Sequence, residues 1–276
     1  MRDAPELPLG KPTDYPEAYD PGLLVAVDRA LNRASLATPA PLPFDGEDRW
    51  TAFEVSWLDA RGVPTAAIAE LVVPASSPRL CESKSLKLYL GSLNGARFAS
   101  ADAAAGTIAA DLGRATGAAV EVALWGPERW DAWGPGALPG RCIDGAPIEG
   151  PSFVLDAGIL DGAADASREV SEAVQSHLFR SRCPITAQPD WASVWIRYRG
   201  PAIDDGRLLR YLLSFRDHGE FHEHCVERIF ADLWTRCGPR ALTVAARFTR
   251  RGGLDINPWR ASAGEAPPAL PRLVRQ

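Results

Sequence analysis

The chain has 276 residues, of which 46% are hydrophobic and 24% are charged. This composition is ordinary for a folded globular protein and excludes a disordered chain and a coiled coil. The formal net charge is −5, whereas general nucleic-acid binders rely on a basic face, so we expect no direct nucleic-acid partner. No apolar run approaches the roughly 20 residues that span a bilayer, and the N-terminal segment lacks the apolar core of a signal peptide. We therefore expect a cytoplasmic protein with no membrane partner.

The N-terminal half opens with a proline-rich stretch, residues 1 to about 45, which predicts an irregular arm. One short helix is predicted within it, from Leu23 to Leu31. Another helix is predicted to begin near Ser85. The glycines and prolines between Gly126 and Gly150 then predict a break that separates two halves of similar length.

The C-terminal half has clearer periodicity. Residues Trp191 to Arg199 alternate in polarity, which predicts a strand whose even-numbered residues form its one buried face. Arg207 to Phe215 is predicted to be a helix. From Phe221 onward, apolar residues recur at helical spacing until Gly238 ends the helix. Leu242 to Phe248 is predicted to be a further strand.

The two halves resemble two diverged copies of one unit. Ser92-Leu93-Asn94 matches Ser214-Phe215-Arg216 at an offset of 122 residues, and Asp111-Leu112 matches Asp232-Leu233 at 121. Each half is then predicted to contain a strand, two helices and a strand in that order, with further strands before the helices. This order predicts an α+β protein in which helices are layered on a mostly antiparallel sheet.

Five cysteines at irregular spacing form no CxxC pair, and an odd number without a signal peptide argues against a disulfide framework. Each is expected to be a small buried hydrophobic residue or a reactive thiol. They are Cys81, Cys142, Cys183, Cys225 and Cys237.

The segment Cys183 to Trp191 joins a thiol to a carboxylate, Asp190, through a stretch that two prolines stiffen. A nucleophilic thiol needs a proton donor or acceptor held nearby, and a stiff loop can hold one. A buried cysteine before a strand, with an aspartate in a turn, would give the same pattern. The residues alone leave both interpretations open.

Three histidines and a cysteine fall within the segment His218 to Cys225, which raises the possibility of a metal site. On the predicted helix, however, His222 and His224 lie about 200° apart, which argues against a shared ion. His222 and Glu223 could instead converge on a ligand at the start of the helix, or form an ordinary polar first turn. We expect no metal.

Two further segments carry charge beside turn-forming or hydroxyl residues. Glu82 precedes the predicted helix near Ser85, and a carboxylate can pair with the planar N–H edge of guanine or a pterin, while the lysine and hydroxyls beside it suit a phosphate. The segment Thr249 to Arg260 places paired arginines before two glycines, which suits an anion. An ordinary helix start and a solvated turn are the alternatives.

Together, these segments resemble the NADPH-dependent 7-cyano-7-deazaguanine reductases, the QueF family, in their long two-module form. Glu82 to Tyr89 matches the signature motif of the family, and Cys183 to Trp191 matches its nucleophile segment. Glu220 to Glu223 and Arg250 to Gly253 match its other two blocks. The second repeat has Asp204-Asp205-Gly206-Arg207 where the first has the signature motif, as the long form would.

The resemblance implies two tandem tunnelling-fold modules, with helices layered on one face of each antiparallel sheet. Residues 1–160 would hold the arm and the Glu-Ser-Lys-Ser motif, and residues 161–276 would hold the catalytic cysteine. The implied reaction reduces the nitrile of 7-cyano-7-deazaguanine to 7-aminomethyl-7-deazaguanine with NADPH, through a covalent cysteine thioimide, on the path to queuosine in tRNA. The implied partner is this small deazapurine, and we expect a homodimer.

The resemblance also implies roles for individual residues. Cys183 would be the nucleophile and Asp190 the proton donor. The implied substrate-binding residues are Glu82, Ser83, His222 and Glu223. The implied NADPH-binding residues are Ser83, Lys84, Arg251 and Gly252.

Two alternatives belong to other functional classes. One is a zinc-dependent hydrolase with the same fold, resembling GTP cyclohydrolase, in which the regions of His222 and Cys183 supply ligands. The other is a purine-binding module without catalytic activity, against which the presence of Cys183, Asp190, Glu82 and Lys84 argues. The metal content of the purified protein tests the first alternative, and NADPH turnover tests the second.

Overall fold

The computed structural model describes residues 16, 18–36, 38 and 41–276, and their contacts divide the chain into two compact units. The first unit takes the described residues of Met1–Asn32 together with Asp48–Gly134 and Arg250–Ile256. The second unit consists of Arg33–Glu47, Pro135–Thr249 and Asn257–Gln276. Both units are discontinuous along the chain, and the two contiguous modules 1–160 and 161–276 stay a prediction.

Both units mix helices with strands, and nearly all strand pairs are antiparallel, so the chain is an α+β protein as predicted. The helices are α1 (Arg29–Arg33), α2 (Ser83–Ser92), α3 (Ala101–Thr116), α4 (Asp205–Ser214) and α5 (His222–Cys237). The strands are β1 (Ala26–Asp28), β2 (Asp45–Leu58), β3 (Pro64–Pro74), β4 (Arg79–Cys81), β5 (Glu121–Trp125), β6 (Arg141–Cys142), β7 (Ala164–Ser176), β8 (Arg180–Arg182), β9 (Pro189–Ile203), β10 (Ala241–Phe248) and β11 (Leu254–Ala261). None of the helices in the described part of the chain combines the length and apolarity that crossing a bilayer requires.

In the first unit, helices α2 and α3 pack with strands β2, β3 and β5 around one hydrophobic core, in which the strand order is β5-β3-β2. The Ser100 side chain begins α3 by accepting a hydrogen bond from the Ala103 amide, 3.1 Å away. Gly117, at φ +79°, ends the helix in the left-handed conformation that glycine adopts without strain. Fully buried core residues include Ala69, Leu71 and Ile108.

In the second unit, β9 pairs antiparallel with β7 on one side and β10 on the other, and α4 and α5 pack on one face. Gly238, at φ +60°, ends α5 as predicted. Within the predicted strand, Ala192, Val194, Ile196 and Tyr198 all lie in this core, which confirms the predicted alternation. The core includes Ala192, Val194, Ile196, Leu209, Ile229, Phe230 and Val244.

The prediction that β9 has only one buried face was wrong, because Ser193 and Trp195 on its other face are also buried. Trp195 packs in a separate cluster with Leu138 and Leu273, and its indole N–H donates to the carbonyl of Pro139 at 2.9 Å. A pattern of alternation within one strand cannot show that segments distant in sequence will cover its polar face.

The predicted helix from Leu23 to Leu31 was wrong in most of its length. Residues Pro21–Leu23 form a single 3₁₀ turn, Ala26–Asp28 form β1, and only α1 is helical. Pairing of Ala26 with Cys81 in β4 gives this stretch a strand partner that its own sequence does not reveal. The arm before residue 16 lies outside the described residues.

A repeated buried hydrogen bond accompanies the repeated sequence. The Tyr89 hydroxyl of α2 donates to Asp111 of α3 at 2.5 Å, and the Tyr211 hydroxyl of α4 donates to Asp232 of α5 at 2.6 Å. In both units, burial and the adjacent carboxylate raise the pKa of this tyrosine. The same bond therefore fastens the helix pair in each unit.

Candidate functional site

The predicted nucleophile, Cys183, lies directly after β8, in the short loop that leads to β9, and is buried. The loop closes on itself, since the Cys183 amide donates to the carbonyl of Gln188 at 2.9 Å and the Ala187 amide donates to the carbonyl of Cys183 at 3.0 Å. Ala187 has φ +56°, and no other described residue except glycine has a positive φ. The backbone around the thiol is therefore held by its own hydrogen bonds.

Asp190, the predicted proton donor, is the second residue of β9 and is 5% exposed. Its position is fixed by pairing between β8 and β9, in which Asp190 lies opposite Ser181. The Nε2 atom of His222 lies 3.2 Å from an Oδ atom of Asp190, which is an ion pair when the imidazole is protonated. The structure thus brings together two of the predicted site residues that lie far apart in sequence.

His222 and Glu223 are the first two residues of α5, and both side chains are buried. The imidazole of His222 stacks on the ring of Phe248, with 4.0 Å between ring centroids and 29° between planes. Glu223 lies in the first helical turn, where the helix dipole stabilises a carboxylate. One helix start therefore presents a polar ring and a carboxylate side by side.

The three histidines of this segment face three different carboxylates. His222 faces Asp190, His218 lies 3.1 Å from Glu220, and His224 lies 3.4 Å from Glu227. Among the described residues, no group of three His, Cys, Asp or Glu side chains is arranged to hold a metal ion. The expectation of no metal stays a prediction.

The second unit contains three further cysteines. Cys225 lies fully buried within the apolar side of α5, as predicted, and burial raises the pKa of its thiol well above the ordinary value. Burial also raises the pKa of Cys237, to about 11. Cys142 is exposed on the short strand β6. A thiol that stays protonated is a poor nucleophile, so Cys225 and Cys237 are chemically inert positions.

Helix α5 is held by buried ion pairs that the sequence did not indicate. Glu227 is 1% exposed and receives hydrogen bonds from Arg260 at 2.8 Å and from Arg33 at 2.6 Å. Burial raises the pKa of Glu227, but Arg260 and Arg33 outweigh it and hold that pKa at about 2. The pKa of Glu220 is likewise about 2, because its contacts with His218 and Arg228 outweigh the effect of burial. These charges fix the helix that presents His222 and Glu223.

In the first unit, Glu82 caps the N-terminus of α2 and is 1% exposed. One carboxylate oxygen accepts the amide of Lys84 and the other accepts the amide of Ser85, each at 2.8 Å. The Ser83 hydroxyl lies 3.4 Å from the same carboxylate. Because a carboxylate can accept about four hydrogen bonds, Glu82 keeps capacity for a ligand in addition to its cap.

The paired glycines form a tight turn between Arg251 and Leu254, whose backbone groups exchange hydrogen bonds of 3.0 and 3.1 Å. Gly252 and Gly253 have φ values of +60° and +81°, which only glycine adopts freely at both central positions. A Cβ at Gly253 would lie 2.6 Å from the Glu54 carboxyl. The turn lines a cavity of about 190 Å³, together with Lys87 of α2.

Sequence reasoning missed the contact of Phe248 with His222 and the ion pairs at Glu227. No spacing rule links Phe248, at the end of β10, to a residue at the start of α5. Glu227 could have been noticed as an acid that lies among apolar residues of an amphipathic helix, since a buried carboxylate requires a partner.

The comparison with known proteins matches this sequence over nearly its whole length. A family model described as the N-terminal part of the nitrile reductase 7-cyano-7-deazaguanine reductase matches residues 15–124, and one described as QueF-like protein matches residues 189–267. An NADPH-dependent 7-cyano-7-deazaguanine reductase from Chromohalobacter salexigens is 52% identical, over 98% of this chain and 96% of the relative. The reductases of that name from Bordetella pertussis and Stenotrophomonas maltophilia are 51% and 52% identical, over 98% and 97% of both chains.

These matches show that the chain belongs to an enzyme family of nitrile reductases. It is a member of the NADPH-dependent 7-cyano-7-deazaguanine reductase family, QueF. A solved structure, the apo form of the archaeosine synthase QueF-Like, is 19% identical over 36% of this chain and 96% of its own, with a TM-score of 0.31.

Proposed function

We propose that the chain reduces the nitrile of 7-cyano-7-deazaguanine to a primary amine with NADPH, as a step of queuosine biosynthesis. Membership of the reductase family, with about half of all residues identical over the full length, supports this activity. Within the structure, the contact between the start of α5 and the start of β9 carries this proposal. There, Nε2 of His222 lies 3.2 Å from an Oδ atom of Asp190. The activity requires a group that donates a proton to the nitrile nitrogen and a carboxylate that accepts hydrogen bonds from the N–H groups of the base. Asp190 of β9 is suited to the first role, and Glu223 of α5 is suited to the second.

Cys183 is the proposed nucleophile, because a thiol is the side chain best suited to attack a nitrile carbon near neutral pH. In this step the S–H bond breaks, an S–C bond forms, and one π bond of the carbon–nitrogen triple bond opens. The Asp190 carboxyl donates one proton to the nitrogen and, as a carboxylate, takes up the proton that the thiol releases. The product is a thioimide, and no proton is gained or lost overall. His222, in contact with Asp190, can hold the proton that Asp190 exchanges.

Substrate recognition is proposed for four residues, each by its own chemistry. Glu223 and Glu82 accept hydrogen bonds from the N–H groups of the deazaguanine ring, and both carboxylates are buried, which strengthens such bonds. His222 and Ser83 lie beside them in sequence and add a ring nitrogen and a hydroxyl. These assignments follow the family resemblance position by position.

The residues present fit NADPH. Lys84 and Arg251 are partly exposed cations, and Ser83 adds a hydroxyl at the start of α2. Gly252 is exposed in a turn and has no side chain of its own, and the Lys87 side chain lies beside it, so a phosphate can approach the backbone closely next to a cation. The cofactor would be held by Ser83, Lys84, Arg251 and Gly252. Each NADPH would supply one hydride when bound, so the four-electron reduction of a nitrile to an amine requires two NADPH molecules in succession.

The finer architecture is also a proposal. We infer that each half of the chain is a tunnelling-fold module, because both contain the order of strands and paired helices that the sequence repeat predicts. We also infer a homodimer, which light scattering of the purified protein tests directly.

The deciding experiment measures NADPH oxidation by absorbance, with and without 7-cyano-7-deazaguanine. We expect oxidation only with the nitrile, at two NADPH per amine formed, and activity that survives prolonged chelation. Without NADPH, intact-mass spectrometry should show one added substrate mass, which Cys183→Ala abolishes and Cys142→Ala, at an exposed thiol, retains. No substrate-dependent oxidation would reject the proposal, and an essential zinc ion would favour the hydrolase alternative.

A further inference from the structure

The His222 imidazole rests on an aromatic ring that the proposed chemistry does not use. Phe248, the last residue of β10, is 1% exposed, and its ring stacks on His222 with centroids 4.0 Å apart. The Nε2 atom of His222 makes no hydrogen bond of good geometry to any described residue, although it lies 3.2 Å from an Oδ atom of Asp190. The stacked ring is therefore a principal constraint on the plane of this imidazole.

Phe248 is itself held from several directions. In the pairing of β9 with β10 it lies opposite Ala192, two residues after Asp190. The ring of Phe179 meets it edge to face, with centroids 6.1 Å apart. The side-chain amide of Gln276 donates to the Phe248 carbonyl at 3.1 Å and to Asn257 at 2.6 Å. A ring packed in this way can serve as a rigid support.

We propose that Phe248 is a positioning residue, whose ring orients the His222 imidazole toward the carboxyl of Asp190. The inference rests on the proposed function, because Phe248 acts only through His222 and Asp190. It assigns no contact with substrate to Phe248. Because β10 pairs directly with β9, the same sheet carries both the Phe248 ring and the Asp190 carboxyl. Loss of the ring face leaves His222 free to rotate, and misplacement of a catalytic group by about 1 Å can cost about 10²-fold in rate.

The test compares the rate of adduct formation at Cys183 in the wild type and in Phe248→Leu, which keeps an apolar side chain but removes the ring face. We expect a loss of about tenfold to a hundredfold in that rate, which exceeds any change in the dissociation constant of the substrate, to which His222 also contributes. Phe248→Tyr, which keeps the ring face, should restore most of the rate. If Phe248→Leu does not fold, Phe248→Met replaces it, because Met fills irregular space well.

Two controls separate positioning from a general loss of packing. Phe230→Leu makes the same change in the same core, at a ring that contacts Phe44 and Trp234, and should lower stability without slowing the adduct. In a His222→Gln background, Phe248→Leu should cause no further loss. An unchanged rate in Phe248→Leu, or an equal further loss in the His222→Gln background, overturns the inference. A wild type that forms no adduct overturns the proposed function instead.

Discussion

The buried carboxylate of Glu227 gives a quantitative prediction for stability. Glu227→Gln keeps the size of the side chain but removes the charge that faces Arg260, which is 0% exposed, and Arg33. The pKa of Glu227 is about 2 in the folded protein and 4.5 in the unfolded chain. Because one pKa unit corresponds to about 1.4 kcal/mol, the ionised form stabilises the fold by about 3 kcal/mol.

The general cost of an unpaired buried charge is of similar magnitude. Removing one partner of a buried ion pair leaves the other charge uncompensated, which typically costs about 3–5 kcal/mol. The matched control is Glu169→Gln, because Glu169 pairs with Arg240 at the surface, where the two side chains are 46% and 70% exposed. An exposed pair of this kind contributes less than about 1 kcal/mol.

The pH dependence follows from the direction of the shift. Since the folded pKa of Glu227 is depressed, its stabilising contribution is fully present above pH 5 and is lost as the pH falls from about 4.5 toward 2. Urea denaturation at several pH values between 7 and 3 measures this. The difference in the free energy of unfolding between wild type and Glu227→Gln should shrink as the pH falls. Glu220 is present in both proteins, so its contribution cancels in that difference. A difference below about 1 kcal/mol at pH 7, or one that stays constant to pH 3, would refute the reasoning.

Three further predictions concern the site. Asp190→Asn should slow adduct formation by about 10²–10⁴-fold, because the nitrogen loses its proton donor; an unchanged rate in the mass-spectrometric time course contradicts that role. Lys84→Ala should weaken NADPH binding more than substrate binding, since it removes a charge that pairs with phosphate; equal losses in fluorescence titrations would count against it. Cys225→Ala should keep the adduct at a cost of about 1 kcal/mol in stability, and loss of the adduct in a folded variant would contradict the expectation that Cys225 takes no part in the chemistry.

The elements of the second half could be predicted because their signals are local. The periods of α5 and β10 differ clearly, and Gly238 marks the end of α5 through a backbone conformation that glycine favours. The first half was predicted less well, because β1 depends on pairing with β4, a partner distant in sequence. A three-residue strand carries too few residues for periodicity to identify it.

The candidate site shows the same division between local and distant information. Cys183 and Asp190 were found because they share one short segment, and His222 and Glu223 because they are adjacent. The contact of His222 with Asp190 joins two such segments, and only the packing of α5 near β9 reveals it. Sequence motifs therefore identify the parts of the site, while tertiary structure shows which parts act on each other.

The repeat itself helps to separate residues that build the fold from residues that serve function. Glu82 and Asp204 occupy corresponding positions, and each caps the first turn of its helix with a carboxylate. Asp204 accepts one amide and is exposed, which is what a capping residue alone requires. Glu82 accepts two amides, is buried, and is followed by Ser83 and Lys84. Burial of a carboxylate is costly and capping does not need it, so the difference between the two copies points to a role for Glu82 beyond the helix start.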